Sequence, residues 1–214
     1  MAAKNARWFA KLLKSRFAPV LRADGFAAQH NGWMRLRDPV INWLDVQARM
    51  AGGSCCVNLG VHMTFLPRPG GSDGGTIASD IQQGYCEIFS RLTWEGEHDH
   101  WWPYDAGEVA AADLVACYEE RGRPVFERYS SFPHPFVDIT PDAFDDAALD
   151  ELLPLTDTGK MLLLARVHDY LGNVQFAIRF SEMGLAVTPR FASGARFALK
   201  NILRKHGVPV PKGR

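Results

Sequence analysis

Side chains able to do chemistry gather in two places. Around Glu97-His98-Asp99-His100, two imidazoles two residues apart would project to the same side of an extended segment, where they could share a divalent ion with a carboxylate. No third ligand stands at a fixed spacing, and His62, His134 and His168 are scattered. The segment therefore reads as a polar loop leading into Trp101-Trp102, and neither a metal nor a cofactor is assigned. The second place is a set of alternating positions. Leu44, Val46 and Ala48, then Cys55, Val57, Leu59 and Val61, recur every second residue, the period of a pleated strand. If these face inward, the other sheet face displays Arg35, Asp45, Gln47, Arg49, Asn58, His62, Glu87 and Arg91, with Trp33, Trp43, Tyr85 and Phe89 among them.

A face that mixes aromatics, amides and paired charges suits a ligand or a protein surface. The expected binding set is Gln47, Arg49, Asn58, His62, Glu87, Arg91, Trp101 and Trp102. The plainer alternative is a solvated face carrying cross-strand charge pairs, or one half covered by the C-terminal helices. The two tryptophans, with Pro103 and Tyr104, fit core and rim packing better than a stacking platform. In an enzyme the same face would offer Glu87 or His62 as acid/base and Arg91 as an anion clamp, but no catalytic residue is assigned.

Other chemistries find no support. There is no GxSxG, and no cysteine stands near a patterned histidine. Gly70-Gly71-Ser72-Asp73-Gly74-Gly75 lacks the Lys-Ser/Thr ending and the helix start of a phosphate cradle. Cys55, Cys56, Cys86 and Cys117 form no CxxC pair and no zinc spacing; Cys55 and Cys56 point to opposite faces of one strand and cannot readily bridge. They read as small buried residues in a reducing cytoplasm.

The elements that must position these groups follow from periodicity and breakers. Residues 2 to 22 form an amphipathic helix with Phe9, Leu12, Leu13, Phe17, Val20 and Leu21 on one face and Lys4, Arg7, Lys11 and Lys14 opposite. Arg16 falls inside the apolar stripe, Pro19 should disturb the last turns, and Gly25 is the stop. His30-Asn31-Gly32 is a hairpin turn, Gly52-Gly53 a second one, residues 66 to 76 a loop, and Tyr85 to Thr93 a strand with Cys86, Ile88 and Leu92 inward. Helices follow over Glu108 to Arg121, ended by Gly122, and over Pro124 to Tyr129. A short acidic helix at 142 to 153 precedes three more at Met161 to Leu171, Val174 to Ala186 and Phe191 to His206. Strands first and helices later predict an α+β fold: an N-terminal helix packed on an antiparallel sheet, then a helical C-terminal half. A division into residues 1–155 and 156–214, packed as one compact unit, suits the 214-residue length.

Charge is balanced overall, 24 basic against 24 acidic residues, but not locally. Residues 1 to 22 and 189 to 214 contain no acid, whereas residues 95 to 151 carry fifteen acids against Arg121, Arg123 and Arg128. An acidic surface of Asp138, Asp142, Asp145, Asp146, Asp150 and Glu151 could steer onto a basic protein such as a nuclease, which makes an immunity or antitoxin-like role concrete. The same acids could instead pair internally with the basic first and last helices. Nucleic-acid binding through Arg190, Arg196, Lys200, Arg204, Lys205, Lys212 and Arg214 is disfavoured by the neutral total. No apolar run approaches the ~20 residues of a membrane span, and the N-terminus lacks the uniform apolar segment of a secretory signal, so a cytoplasmic location is expected.

The order of a helix, Gly25-Phe26, a hairpin, Val46-Gln47, Val57-Asn58-Leu59-Gly60, then Arg91-Leu92, Asp99 and Trp101-Trp102 resembles the bacterial domain of unknown function 4304 family over about residues 5 to 135. The resemblance implies an α+β fold and a bacterial cytoplasmic setting, and brings no reaction with it. The functional expectation is a protein-interaction module, with ligand binding or catalysis on the polar sheet face as the alternative and nucleic-acid binding through the termini as a second one.

Overall fold

The computed structural model describes residues 2–29, 32–67, 75, 86–144 and 154–210, the side chains of 2–4 excepted. The chain forms two compact units by its contacts: Met1–Pro69 with Gly75–Ser130, and Gly70–Gly74 with Ser131–Arg214. Helices and an antiparallel sheet are segregated along the chain, an α+β fold.

In the first unit, α1 (Ala2–Leu12) continues through a wider π-wound turn, Leu13–Phe17, into α2 (Ala18–Ala23). The Ala18 N–H bonds Leu13 O, five residues back, and Pro19 then enters at the start of α2, where its missing donor does no harm. The π turn also corrects the placement of Arg16. Unwinding rotates it out of the apolar stripe, and its guanidinium meets Glu108 at 3.4 Å in solvent. Phe9, Phe17 and Leu21 keep the buried face, and Gly25 at φ 87° ends the helix as expected.

Six strands follow: β1 (Ala27–Gln29), β2 (Gly32–Arg37), β3 (Val40–Ala48), β4 (Ser54–Met63), β5 (Ile88–Arg91) and β6 (Trp102–Pro103). Their order is β1-β2-β3-β4-β5, antiparallel throughout, and β6 pairs with the start of β4. The Gly52-Gly53 turn takes positive φ at both residues, 76° and 83°, as its hairpin requires. Helix α3 (Gly107–Cys117) passes through a second π turn, Tyr118–Gly122, into α4 (Arg123–Ser130). Gly122 is therefore not a stop. Its lack of a side chain is what matters, since a Cβ there would lie 2.8 Å from the Tyr118 ring and 3.2 Å from Leu92.

The register corrects the sheet faces in three ways. Trp33 pairs with Leu44 and Arg35 with Asn42, so Trp33 and Arg35 share the face of Leu44 rather than that of Asp45. Trp33 accordingly packs at 6.0 Å on Phe17, and Arg35 donates to Asn42 Oδ1, Asp24 O and Ser130 Oγ while lying 4.9 Å from the Phe26 ring. Second, the polar face, which the sequence leaves either open or covered, is largely buried: Asn58 and His62 are fully inaccessible and Asp45 nearly so. Third, β5 begins at Ile88, so its alternation does not reach Cys86, which packs with Ile41, Trp43 and Met34. A Cβ at Gly60 would come within 2.5 Å of the Cys86 sulfur.

The second unit holds α5 (Asp157–Tyr170), α6 (Val174–Val187) and α7 (Ser193–Lys205). Thr156 caps α5 by accepting from the Gly159 N–H. Gly184 lets the three helices close, because a Cβ would lie 2.9 Å from Leu199 and 3.3 Å from Met161. His168 is buried there, stacked 5.5 Å from Phe180; the groups around its nitrogens are Ile139 O and the Asn173 amide. The side chain of Lys4, the turn at His30-Asn31, Tyr85, most of the loop at 66 to 76 and the acidic stretch from Asp145 to Leu153 lie outside the described residues.

Candidate functional site

Pleating places every second side chain of β3 and β4 on one face, and pairing sets which of them meet. Asp45 pairs with Asn58, Gln47 with Cys56, and Asn58 with Arg91. At the open end of this row Arg49 continues β3, its N–H bonding Ser54 O. Cys55 pairs with Trp102, so the preceding Trp101 falls beside Cys56 on the same face. The result is a polar corner. The guanidinium of Arg49 lies 5.4 Å from the Trp101 ring centroid, and that of Arg91 also 5.4 Å. Each such contact contributes on the order of 0.5–1 kcal/mol at an exposed site. Asp99 fixes the ring by accepting from Trp101 Nε1 at 2.6 Å and stands 3.5 Å from Arg91 Nη1.

Beneath the corner is a buried carboxylate. Asp45 accepts from Asn58 Nδ2 at 2.8 Å and from Trp43 Nε1 at 3.2 Å, and Asn58 Nδ2 also reaches Gln47 Oε1 at 3.1 Å. Burial holds the Asp45 carboxyl above the ordinary carboxylate range, with the hydrogen bonds from Asn58 and Trp43 opposing the shift. Because the Asn58 amide must turn its NH2 toward Asp45, its oxygen is committed to the other side. Among the described residues the buried Asn58 Oδ1 has no hydrogen-bond partner, and neither has Arg91 Nη1, which meets Asp99 only as an ion pair at 3.5 Å. Arg49 has no ion-pair partner among the described residues. The corner thus has an acceptor and two cationic donors with capacity to spare, an arrangement suited to a group that is anionic on one side and donates on the other.

Five of the eight expected binding residues, Gln47, Arg49, Asn58, Arg91 and Trp101, come together here. The other three do not join them. His62 is buried opposite Ile41, four residues and about 13 Å along β4 from Asn58. Glu87 precedes β5 and is half-buried. Trp102 turns to the opposite face, is buried, and donates Nε1 to Asp113 Oδ2 at 2.8 Å. Tryptophans adjacent in sequence thus divide between core and rim. Asp113 also accepts from Trp94 Nε1 at 3.3 Å and lies 3.6 Å from His100 Nε2. It was visible in the sequence as the one acid within the otherwise apolar run Val109 to Cys117. His100 is held by Glu97 at 2.6 Å and packs tilted against Trp102 with ring centroids 4.6 Å apart, while His98 is exposed. Among the described residues no group of three or more His, Cys, Asp or Glu side chains is placed to hold a metal.

The thiols are poor nucleophiles. Burial pushes Cys55, Cys86 and Cys117 up to about 12 and raises Cys56 as well, so each keeps its proton at neutral pH.

The charged segments pair within their units. Asp142 takes a bidentate contact from Arg179 at 3.0 and 2.7 Å, which holds its carboxyl below the ordinary range, and Asp138 is 2.7 Å from His134 Nδ1. Asp145, Asp146, Asp150 and Glu151 lie outside the described residues. At the basic end, Arg196 donates to Leu185 O and Thr188 O, Arg204 to Asn201, and Lys205 to Asp169. Lys212 and Arg214 lie outside the described residues.

Among the described residues no helix is long and apolar enough to cross a membrane. A family model described as domain of unknown function (DUF4304) matches residues 17–128, a span that holds every residue of the polar corner. No curated protein and no solved structure matches the chain.

Proposed function

We propose that this chain, which belongs to the family described as domain of unknown function (DUF4304), is a recognition protein that holds a carboxylate-bearing ligand where Arg49 and Arg91 lie against Trp101. The observation that carries the reading is the pair of buried atoms without hydrogen-bond partners among the described residues, Asn58 Oδ1 and Arg91 Nη1, near an Arg49 that has no ion-pair partner among them. Leaving such groups unsatisfied costs on the order of 1–3 kcal/mol each, which a ligand that displaces the side chains covering them and presents a donor and an acceptor would recover. Charge selects the anion. Asp99 pairs with Arg91, which leaves the single charge of Arg49 for the anion, so a singly charged carboxylate fits better than a phosphate dianion. Asn58 Oδ1 calls for an N–H or O–H beside that carboxylate, as in a peptide C-terminus or a hydroxy acid.

We place this activity in the bacterial cytoplasm, a setting that suits four buried cysteines, all free. The inhibitor reading of the acidic stretch now rests on Asp145, Asp146, Asp150 and Glu151, since Asp138 and Asp142 are engaged by His134 and Arg179.

Thermal unfolding followed with N-acetylalanine, lactate and inorganic phosphate tests the proposal. A rise in Tm with either carboxylate and not with phosphate supports it. Equal shifts with all three, or none, would sink it.

A further inference from the structure

The outer face of α7 carries cations that no carboxylate neutralises. From residue 189 to the end the sequence holds seven basic residues and no acid. Arg196, Lys200 and Arg204 follow one another at intervals of four, a row along the helix with a rise of about 6 Å between neighbours. Like charges at that spacing destabilise a helix. Their contacts do not relieve it: Arg196 donates to Leu185 O and Thr188 O, Arg204 to Asn201 Oδ1, and all three acceptors are uncharged. Asp169 is already taken by Lys205 and His206. Among the described residues Arg190, Arg196, Lys200 and Arg204 have no ion-pair partner.

Two aromatic rings stand among these cations. Phe197 is 59% exposed, and Phe191, in the turn that leads into α7, is 89% exposed. Leu199, Ile202 and Leu203 hold the helix to its unit from the opposite side, so neither ring is needed for packing. At about 100° per residue Phe197 and Arg204 lie within about 20° of one line, with Lys200 about 60° away. Aromatic and cation therefore share one face. Beside the row, Arg196 and Lys200 form a wall of a cleft of about 360 Å³ completed by Glu182, Leu185 and Ala186 of α6.

We infer that this face binds single-stranded nucleic acid, with phosphates along Arg190, Arg196, Lys200 and Arg204 and unstacked bases on Phe191 and Phe197. A strand alternates the two things the face offers to meet, a regularly spaced anion and a flat ring. A duplex presents the phosphates but keeps its bases stacked away from the rings. An acidic peptide would pair with the cations and leave the rings bare. A helix lying on a bilayer separates its apolar from its charged side, whereas Phe197 and Arg204 fall on one line. The neutral total of the chain does not oppose the binding, because exposed charges act over roughly 8 Å at physiological salt and the local balance decides.

The probe is a fluorescein-labelled oligouridylate of about twelve nucleotides, followed by anisotropy across a series of salt concentrations. Binding should be micromolar at low salt and weaken as salt rises. Lys200→Ala and Arg204→Ala should each flatten the plot of log affinity against log salt by about 0.7. Phe191→Ala and Phe197→Ala should each weaken binding about tenfold and leave that slope unchanged. Both rings are exposed, and circular dichroism of each variant checks that the fold is kept. Trp101→Ala should leave strand binding as it is, which separates this face from the polar corner. No binding below millimolar concentration, a slope indifferent to the two cations, or unchanged affinity in both phenylalanine variants would overturn the inference. So would equal binding of a duplex of the same length, displacement of the strand by polyglutamate at equal charge, or sedimentation with phosphatidylserine vesicles that the oligouridylate does not compete away.

Discussion

Arg49 and Trp101 meet face to cation at 5.4 Å although one follows β3 and the other precedes β6. The contact exists because β4 runs between them, pairing with β3 through Gln47 and Cys56 and with β6 through Cys55 and Trp102. Neither side chain is needed to hold the sheet. Both stand above a layer that is needed, the Asp45–Asn58 hydrogen bond, and the first prediction concerns that layer.

Asn58→Leu removes the amide that Asp45 and Gln47 both accept from, and leaves a buried carboxylate oxygen unsatisfied. Urea unfolding should report a loss of about 2–3 kcal/mol with an unchanged m value. Asp45 also leaves a signature in pH. Its carboxyl is raised above the ordinary value of 3.8 in the folded state, so the folded form binds its proton first. Wild-type stability relative to Asp45→Asn should therefore grow as pH falls from the raised folded value to 3.8. A difference independent of pH would contradict the burial of a charged Asp45.

His168 should act with the opposite sign. Burial beside Phe180 lowers it below the ordinary value of 6.5, while the bond to Ile139 O opposes the shift. The neutral ring is the folded form, so its contribution is complete above pH 6.5 and is lost as pH falls toward the lowered folded value. His168→Gln keeps a donor for Ile139 O and carries no titration. Its stability should lack the wild-type decline below pH 6.5, measured by urea unfolding at a series of pH values.

Gly60→Ala places a methyl group 2.5 Å from the Cys86 sulfur and 2.9 Å from its Cβ. The cost should be about 1–3 kcal/mol, and Cys86→Ala in the same chain should recover part of it. Additive losses in the double mutant would mean that Cys86 does not lie over Gly60.

Much of this arrangement was legible beforehand, and the failures have identifiable causes. Nine residues of β3 and ten of β4 alternate long enough for the pleat to assign faces, and that assignment brought Gln47, Arg49, Asn58 and Arg91 together correctly. β2 is shorter, and its parity relative to β3 depends on the two-residue turn Asp38-Pro39 that follows it. One residue of offset there sends Trp33 and Arg35 to the other face. β6 pairs over two residues only, too few to show a period, so the division between Trp101 and Trp102 could not be read from spacing. Arg16 depended on a π turn, which changes the angle per residue and leaves no pattern in residue types. Burial of the polar face was illegible for a different reason: Asn58 and His62 are polar by type, and only the tertiary structure around them takes them out of water.

The central claim is that Arg49 and Trp101 hold a carboxylate over Asn58, and calorimetric titration of N-acetylalanine into wild type, Arg49→Ala and Trp101→Ala tests it most directly. Arg49→Ala loses one exposed cation–π contact and Trp101→Ala two, so both variants should keep a stability within about 2 kcal/mol of the wild type. Saturable binding to wild type that drops at least about tenfold in both variants is the predicted result. Equal binding heats in all three proteins, or no saturable binding to wild type, would contradict the account.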